Sequence, residues 1–330
     1  MQPDRRSKAS MQDIADALGI SRATVSNALR GKGRLSDETR HRIQQKAIEL
    51  DFSPSGLARA LRTGRTESFA LVLPDFRMPL FADFARAFAM AARQRGMAMT
   101  VADSLGSLDQ QDEHLRDMDA RGVDAVVLVP MRGSHVEAIR LSKPLIVVDA
   151  ETNPLNSVSS HHRQGGALVA AHLADLGHRE VLLLGAAGGW GASRVNDLRL
   201  QGMRDVFAER GVTTTETALP PSYEAARDAL ADWTPGPVTA IAAASDSLAV
   251  GAVLALAQRG IRIPQEISVT GFDDTVWSRI VMPPLTTIRQ DLQSVADLAL
   301  AHALGERKVN EIVPVTLVTR GSTAPAPLVP

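Results

Sequence analysis

A chain of 330 residues, 45% of them hydrophobic and 22% charged, is long enough for two or three compact units and too apolar to be largely disordered. It contains no cysteine, which excludes a disulfide framework, a thiolate metal site and a cysteine nucleophile. The net charge of -1 conceals an asymmetry, because residues 1–66 hold 13 Lys and Arg against 7 Asp and Glu, a net +6, and the remainder carries -7. A basic module on an acidic body fits a phosphate-binding head on a carrier that does not itself bind nucleic acid, although a solvated helical face gives a similar count. The polar, basic start at Met1–Ser10 has no apolar segment behind it, and no run approaches the ~20 apolar residues of a membrane span, so a cytoplasmic protein with no membrane partner is expected.

The first predicted helix begins at Ser10, with Asp13 three residues on as in a capping box, and runs through Ile14, Ala15 and Leu18 to Gly19. Ser21 can cap a second helix in which Val25, Ala28 and Leu29 face inward while Arg22, Ala23, Ser26, Asn27 and Arg30 face out. Ser36, with Asp37 and Glu38 in a first turn, starts a third helix whose Ile43, Ala47 and Leu50 close a miniature core. In a helix-turn-helix the second helix enters the major groove. Arg22 there suits guanine, Asn27 suits adenine and Ala23 a thymine methyl, while Ser21, Thr24 and Ser26 are short donors suited to phosphates. A three-helix protein-interaction module with a solvated second helix remains open on these features alone.

The stretch Met11-Gln-Asp-Ile-Ala-Asp-Ala-Leu-Gly-Ile-Ser-Arg-Ala-Thr-Val-Ser-Asn-Ala-Leu29 is followed by Leu35-Ser-Asp-Glu-Thr-Arg40 and Phe52-Ser-Pro-Ser-Gly-Leu-Ala-Arg-Ala-Leu61. Together they resemble the LacI/GalR repressor family, with the similarity running from about Met11 to a final strand near Arg320. The resemblance implies that Arg22, Ala23 and Asn27 read bases and that Ser21 and Thr24 contact phosphates. Next comes a hinge, where Ser55 can cap a helix of about two turns ending before Gly64. So short a helix is marginal alone and is expected to form only on DNA or against a partner hinge. In the family, paired hinge helices wedge a leucine into the minor groove; Leu61 matches it, and Ala58 matches a small residue at the interhelix contact. An ordinary basic linker with a core leucine is the alternative.

From Phe69 onward short apolar runs alternate with helical patterns, a parallel-sheet signature: 69–73, 98–102, 125–129, 145–148, 181–184, 239–243 and 267–271. The expected fold class is α plus α/β: a helix-turn-helix headpiece over 1–54, a hinge helix and linker over 55–66, and an effector-binding and dimerisation domain over 67–330. The late segments Asp273-Asp-Thr275 and Pro283–Asp291 again resemble the family, which implies a periplasmic-binding-protein-like domain of two α/β subdomains with crossovers near 160, 290 and 320. Ligands bind outside the carboxyl ends of such strands. Matching the family's effector positions gives Arg199 as a ligand clamp and Asp273 as the acid opposite it. Asp149, Ser245, Ser247 and Gln290 take further cleft positions, and Phe81 the first loop after strand one. Each could instead be a capping or sheet-end residue.

Trp190 and Tyr223 are candidate stacking surfaces for a ligand, or rim packing. The Gly-rich run from Gly185 to Gly191 lacks the Lys-Ser/Thr ending of a P-loop, and the adjacent pair His161-His162, with no carboxylate pattern nearby, makes a weak metal site. No nucleophile–base pair, metal site or cofactor motif is found, so an enzyme is not expected. The reading is a transcription regulator, taken as a repressor. Its partners are double-stranded DNA as a pseudo-palindromic operator, a second copy in a homodimer, and a small-molecule effector, taken as a sugar or sugar derivative. The tail from Ser322 has no apolar heptads for a coiled-coil tetramer. A purine- or other metabolite-responsive corepressed regulator stays open, and more remotely a cytosolic sugar-binding protein or an enzyme.

Overall fold

The computed structural model describes residues 9–29, 35–50, 52, 65–150, 157–185, 195–306 and 310–327. They fall into two units, residues 1–66 and 67–330. In the first, helix α1 (Met11–Leu18) is opened by a capping box in which Ser10 and Asp13 satisfy each other's backbone N–H, and it is closed by Gly19 at φ 65°, a left-handed conformation that glycine adopts without a Cβ penalty. Helix α2 (Arg22–Leu29) starts at Ser21, whose Oγ accepts from the Thr24 N–H at 3.0 Å. Helix α3 (Asp37–Glu49) starts at Ser36, which accepts from the Thr39 N–H. Ile14, Ala15, Val25, Ala28, Ile43 and Ala47 form the core of this unit, sealed by Leu18, Leu29, Leu50 and Phe52.

The second unit alternates strands and helices: β1 (Ser68–Leu73), α4 (Pro79–Gln94), β2 (Ala98–Asp103), α5 (Leu108–Ala120), β3 (Ala125–Leu128), β4 (Leu145–Val148) and β5 (Ser157–Ser160) build a first subdomain. A second subdomain follows with α6 (His162–Asp175), β6 (Glu180–Gly185), α7 (Val195–Glu209), β7 (Thr213–Ala218), α8 (Tyr223–Ala229), β8 (Ala240–Ala243), α9 (Asp246–Gln258), β9 (Ser268–Thr270) and α10 (Val276–Ile280). The chain ends through β10 (Thr287–Gln290), α11 (Leu292–Ala303), β11 (Glu311–Val313) and β12 (Val315–Val318). The first sheet is parallel with order β11-β5-β4-β3-β1-β2, the second is parallel with order β7-β6-β8-β9, and β10 pairs antiparallel with β12.

The chain therefore passes between subdomains three times: after Ser160, after Gln290, and between Val313 and Val315. The last passage lies at Pro314, upstream of the position near 320 that the sequence suggested. All seven apolar runs read from the sequence are strands. Strands β5 and β7 carry no such signal, for opposite reasons. Ser157-Val-Ser-Ser160 is polar yet wholly buried, whereas Thr213–Ala218 is the half-exposed edge of its sheet. Helix α11, although late in the chain, returns to the first sheet, where Val295, Ala296, Ala299 and Leu300 join Phe69, Leu71, Phe84 and Phe88 in one core. Helices α6 and α7 meet backbone to backbone. A Cβ on Gly166 would fall 1.9 Å from the Arg199 carbonyl oxygen, and one on Gly202 would fall 2.0 Å from that of Arg163.

Candidate functional site

In the small unit, the face of α2 turned away from the core carries Arg22, Ala23 and Asn27, all exposed. Val25 and Ala28 on the other face are buried, so the helix is anchored by its apolar stripe and leaves this polar stripe to solvent. Ser21 and Thr24 hold each other at the helix start, their hydroxyls 2.8 Å apart, and Ser26 is half-buried. The hinge candidates Ala58 and Leu61 lie outside the described residues, as does Trp190.

In the large unit a narrow cleft lies between the two subdomains at the carboxyl ends of their strands. The first subdomain contributes Phe81 and Asp149 to its lining; the second contributes Asn196, Arg199, Ser245 and Asp273. Five of the sequence candidates thus converge there. Two positions differ from expectation: Phe81 is in the first turns of α4, packed on Phe84 with ring centroids 6.1 Å apart, and not in a loop. Arg199 projects from α7 and not from a strand end. Ser247 and Gln290 do not line the cleft. Ser247 is buried in the first turn of α9, and Gln290 stands behind the wall, donating from Nε2 to Asp273 Oδ1 at 2.8 Å. Ser245 lines the cleft and also caps α9, accepting from the Leu248 N–H at 3.3 Å. Tyr223 sits on α8 edge-on to Trp277, ring centroids 5.7 Å apart, and is not a lining residue, although its neighbour Pro221 is.

Sequence reasoning missed His162, Asn196 and Asp246. His162 is fully buried with Asp149 on one side and Arg199 on the other. Its signal was the His161-His162 pair, which was weighed only against a metal. Arg199 is 2% exposed; its guanidinium donates at 2.7 Å to the Ala244 carbonyl, lies 2.9 Å from Asp273 Oδ1, and stacks 3.9 Å over the ring of Phe272. The two cleft acids bear opposite shifts. Burial works against the Asp149 charge, yet the His162 ring and the Arg199 cation hold its carboxyl below the usual range. For Asp273 burial prevails over the Arg199 guanidinium beside it and pushes the group up to about 6. Asp149 at φ 56°, Asp273 at φ 117° and Asp274 at φ 53° all adopt left-handed backbone, strain of the kind that concentrates at binding sites. Among the described lining residues only Asp149, Asp273 and Arg199 are charged, a net charge of -1.

A three-helix unit with an exposed polar helix face, in one chain with two α/β lobes that line a cleft between them, is the build of an effector-controlled DNA-binding regulator. Residues 10–55 match the model of the bacterial regulatory proteins, lacI family, and residues 170–323 match a periplasmic binding protein-like domain. The chain is 29% identical to the HTH-type transcriptional regulator DegA of Bacillus subtilis, covering 96% of this chain and 99% of that one. It is also 29% identical to a ribose operon repressor of Haemophilus influenzae, with 90% and 91% covered. Among solved structures, the lac repressor dimer bound to operator and the anti-inducer ONPF superposes with a TM-score of 0.84 at 26% identity, covering 96% of this chain and all of the other. The chain thus carries a helix-turn-helix domain of the lacI type and a periplasmic-binding-protein-like domain, and it is a DNA-binding transcriptional regulator. Among the described residues no helix is long and apolar enough to cross a membrane.

Proposed function

We propose that this regulator is a cytoplasmic homodimeric repressor whose hold on a pseudo-palindromic operator is set by a neutral carbohydrate in the cleft. The observation that carries the effector class is the buried pair of Arg199 and Asp273 in the cleft wall, facing Asp149 across it. A guanidinium fork and carboxylate acceptors suit vicinal hydroxyls, which donate and accept at once. Among the described lining residues the net charge of -1 disfavours a phosphorylated or carboxylated ligand. The relatives support the same class: one is a ribose operon repressor, and one of the superposing structures is a lac repressor bound to ONPG. Others are the purine-named PurR repressors, such as that of Pasteurella multocida at 27% identity, which keeps a nucleobase as the rival outcome of the test.

On the DNA side, Arg22, Ala23 and Asn27 read base edges, and Ser21, Thr24 and Ser26 meet phosphates. This assignment is supported by the exposure of the first three beside a buried apolar stripe. Two copies on a two-fold axis carry two such helices to successive major grooves, and the hinge residues Ala58 and Leu61 enter the minor groove between them. The test is a thermal-shift screen of neutral sugars, sugar phosphates and nucleobases on the full chain. Titration of a duplex selected from a random palindromic library then follows, with and without each hit. Neutral sugars are expected to raise the melting temperature and to change duplex affinity. Hits confined to nucleobases would replace the effector class. Absence of preference for any palindrome over random duplex would remove the DNA-side assignments. Leu61→Ala is expected to weaken the selected duplex while leaving the affinity for a sugar hit intact.

A further inference from the structure

His162 opens α6 and bridges both walls of the cleft. Its Nε2 lies 3.1 Å from Asp149 Oδ1, and its Nδ1 lies 3.2 Å from Arg199 Nε. The arginine Nε always carries a hydrogen and never accepts. Nδ1 is therefore the acceptor and bears no proton, so the ring hydrogen resides on Nε2 and is donated to Asp149. Of the three protonation forms of an imidazole, the contacts admit one, because an imidazolium would set N–H against N–H at Arg199.

The two partners belong to different lobes. Asp149 follows β4 of the first subdomain and also accepts from the Ser160 N–H at 3.3 Å, while Arg199 sits on α7 of the second. On α6 itself, the Arg163 guanidinium is turned outward to Asp205, so it does not compete for Asp149. The Phe272 ring beneath the guanidinium and the His162 nitrogen at its Nε edge together fix the plane in which the other two nitrogens reach Ala244 and Asp273.

We propose that His162 is a positioning residue of the cleft: as a neutral Nε2–H imidazole it ties Asp149 of the first subdomain to Arg199 of the second and fixes the guanidinium plane presented to the effector. The proposal rests on the reading of the cleft as the effector site, but the tie itself is testable with no effector present. Full-length protein labelled with 15N-histidine and 15N-arginine would be compared as wild type, His162→Gln and His162→Leu. The carboxamide keeps one acceptor and one donor, whereas leucine keeps neither. The chain has no cysteine, so spin labels at Asp109→Cys and Asp228→Cys, on exposed positions of α5 and α8, report the distance between the lobes without competing sites.

At pH 7.5 the His162 ring is expected to give the Nε2–H tautomer, and the Arg199 Nε–H to be protected from exchange. In His162→Leu that exchange should quicken about tenfold, the equivalent of one lost hydrogen bond, and the inter-lobe distance distribution should broaden. His162→Gln should retain both wild-type signatures. An imidazolium or an Nδ1–H ring at that pH would overturn the proposal, as would an Arg199 signal and lobe distance unchanged in His162→Leu. Should His162→Leu fail to fold, the tautomer and the behaviour of His162→Gln decide, since broadening in that variant also overturns it. A sugar screen without hits strikes the effector reading and leaves these spectra as they are.

Discussion

Asp246 opens α9 inside the second subdomain with 1% exposure, and burial together with the nearby Asp273 carboxylate pushes it up to about 7, against 3.8 in a solvated chain. The native state thus holds this proton more tightly than the unfolded chain does. The stability it contributes is fully present below about pH 4 and is lost as pH rises through about 7. Between pH 8 and pH 5 the group alone adds about 3 kcal/mol on acidification. Its oxygens accept from the Thr275 N–H at 2.7 Å, the Thr275 hydroxyl at 3.0 Å and the Thr287 hydroxyl at 2.6 Å. An amide in its place keeps the first two and must donate to the third, at a loss of about 1 kcal/mol. Asp246→Asn is therefore expected to be more stable than wild type by about 3 kcal/mol at pH 8, or roughly 8 °C in melting temperature, and by less than about 1 kcal/mol at pH 5, where the unfolded carboxyl is already ionised but the native one is not. Circular-dichroism melts of both proteins at the two pH values measure the difference. His172 and His178, whose protonation burial opposes, act in both proteins and cancel from it. A variant less stable than wild type by the same amount at both pH values would refute the reasoning.

Gly166→Ala should be among the most damaging small substitutions, because its Cβ would sit 1.9 Å from the Arg199 carbonyl and α6 and α7 cannot separate without disturbing the cleft; a loss of about 3 kcal/mol or more in urea unfolding is expected. Arg199→Leu leaves Asp273 buried without its cation, so unfolding at pH 8 should show a loss of about 3–5 kcal/mol that shrinks toward pH 5 as the carboxyl takes up a proton, and sugar-induced thermal shifts should vanish. Arg22→Ala and Asn27→Ala, at exposed positions, should each lower affinity for the selected duplex by about 1–3 kcal/mol in anisotropy titrations while melting temperatures stay unchanged.

What the sequence made legible is what depends on neighbours along the chain. The caps at Ser10, Ser21 and Ser36, the inward stripe of Val25 and Ala28, and the seven apolar strands are all set by residues within a few positions of one another. Polar strand β5 was illegible because its burial comes from β4 and β11 on either side, and β7 because an edge strand half in water needs no apolar pattern. The cleft shows the same division. Arg199, Asp149 and Asp273 were reachable through family resemblance, but the side chain that joins two of them was not. His162 meets Asp149 thirteen residues away and Arg199 thirty-seven residues away. It does so only because Gly166 and Gly202 let two helices approach to backbone contact. A buried ring bonded at both nitrogens looks, in sequence, like any other histidine, because its chemistry is set by what the fold brings to its two edges.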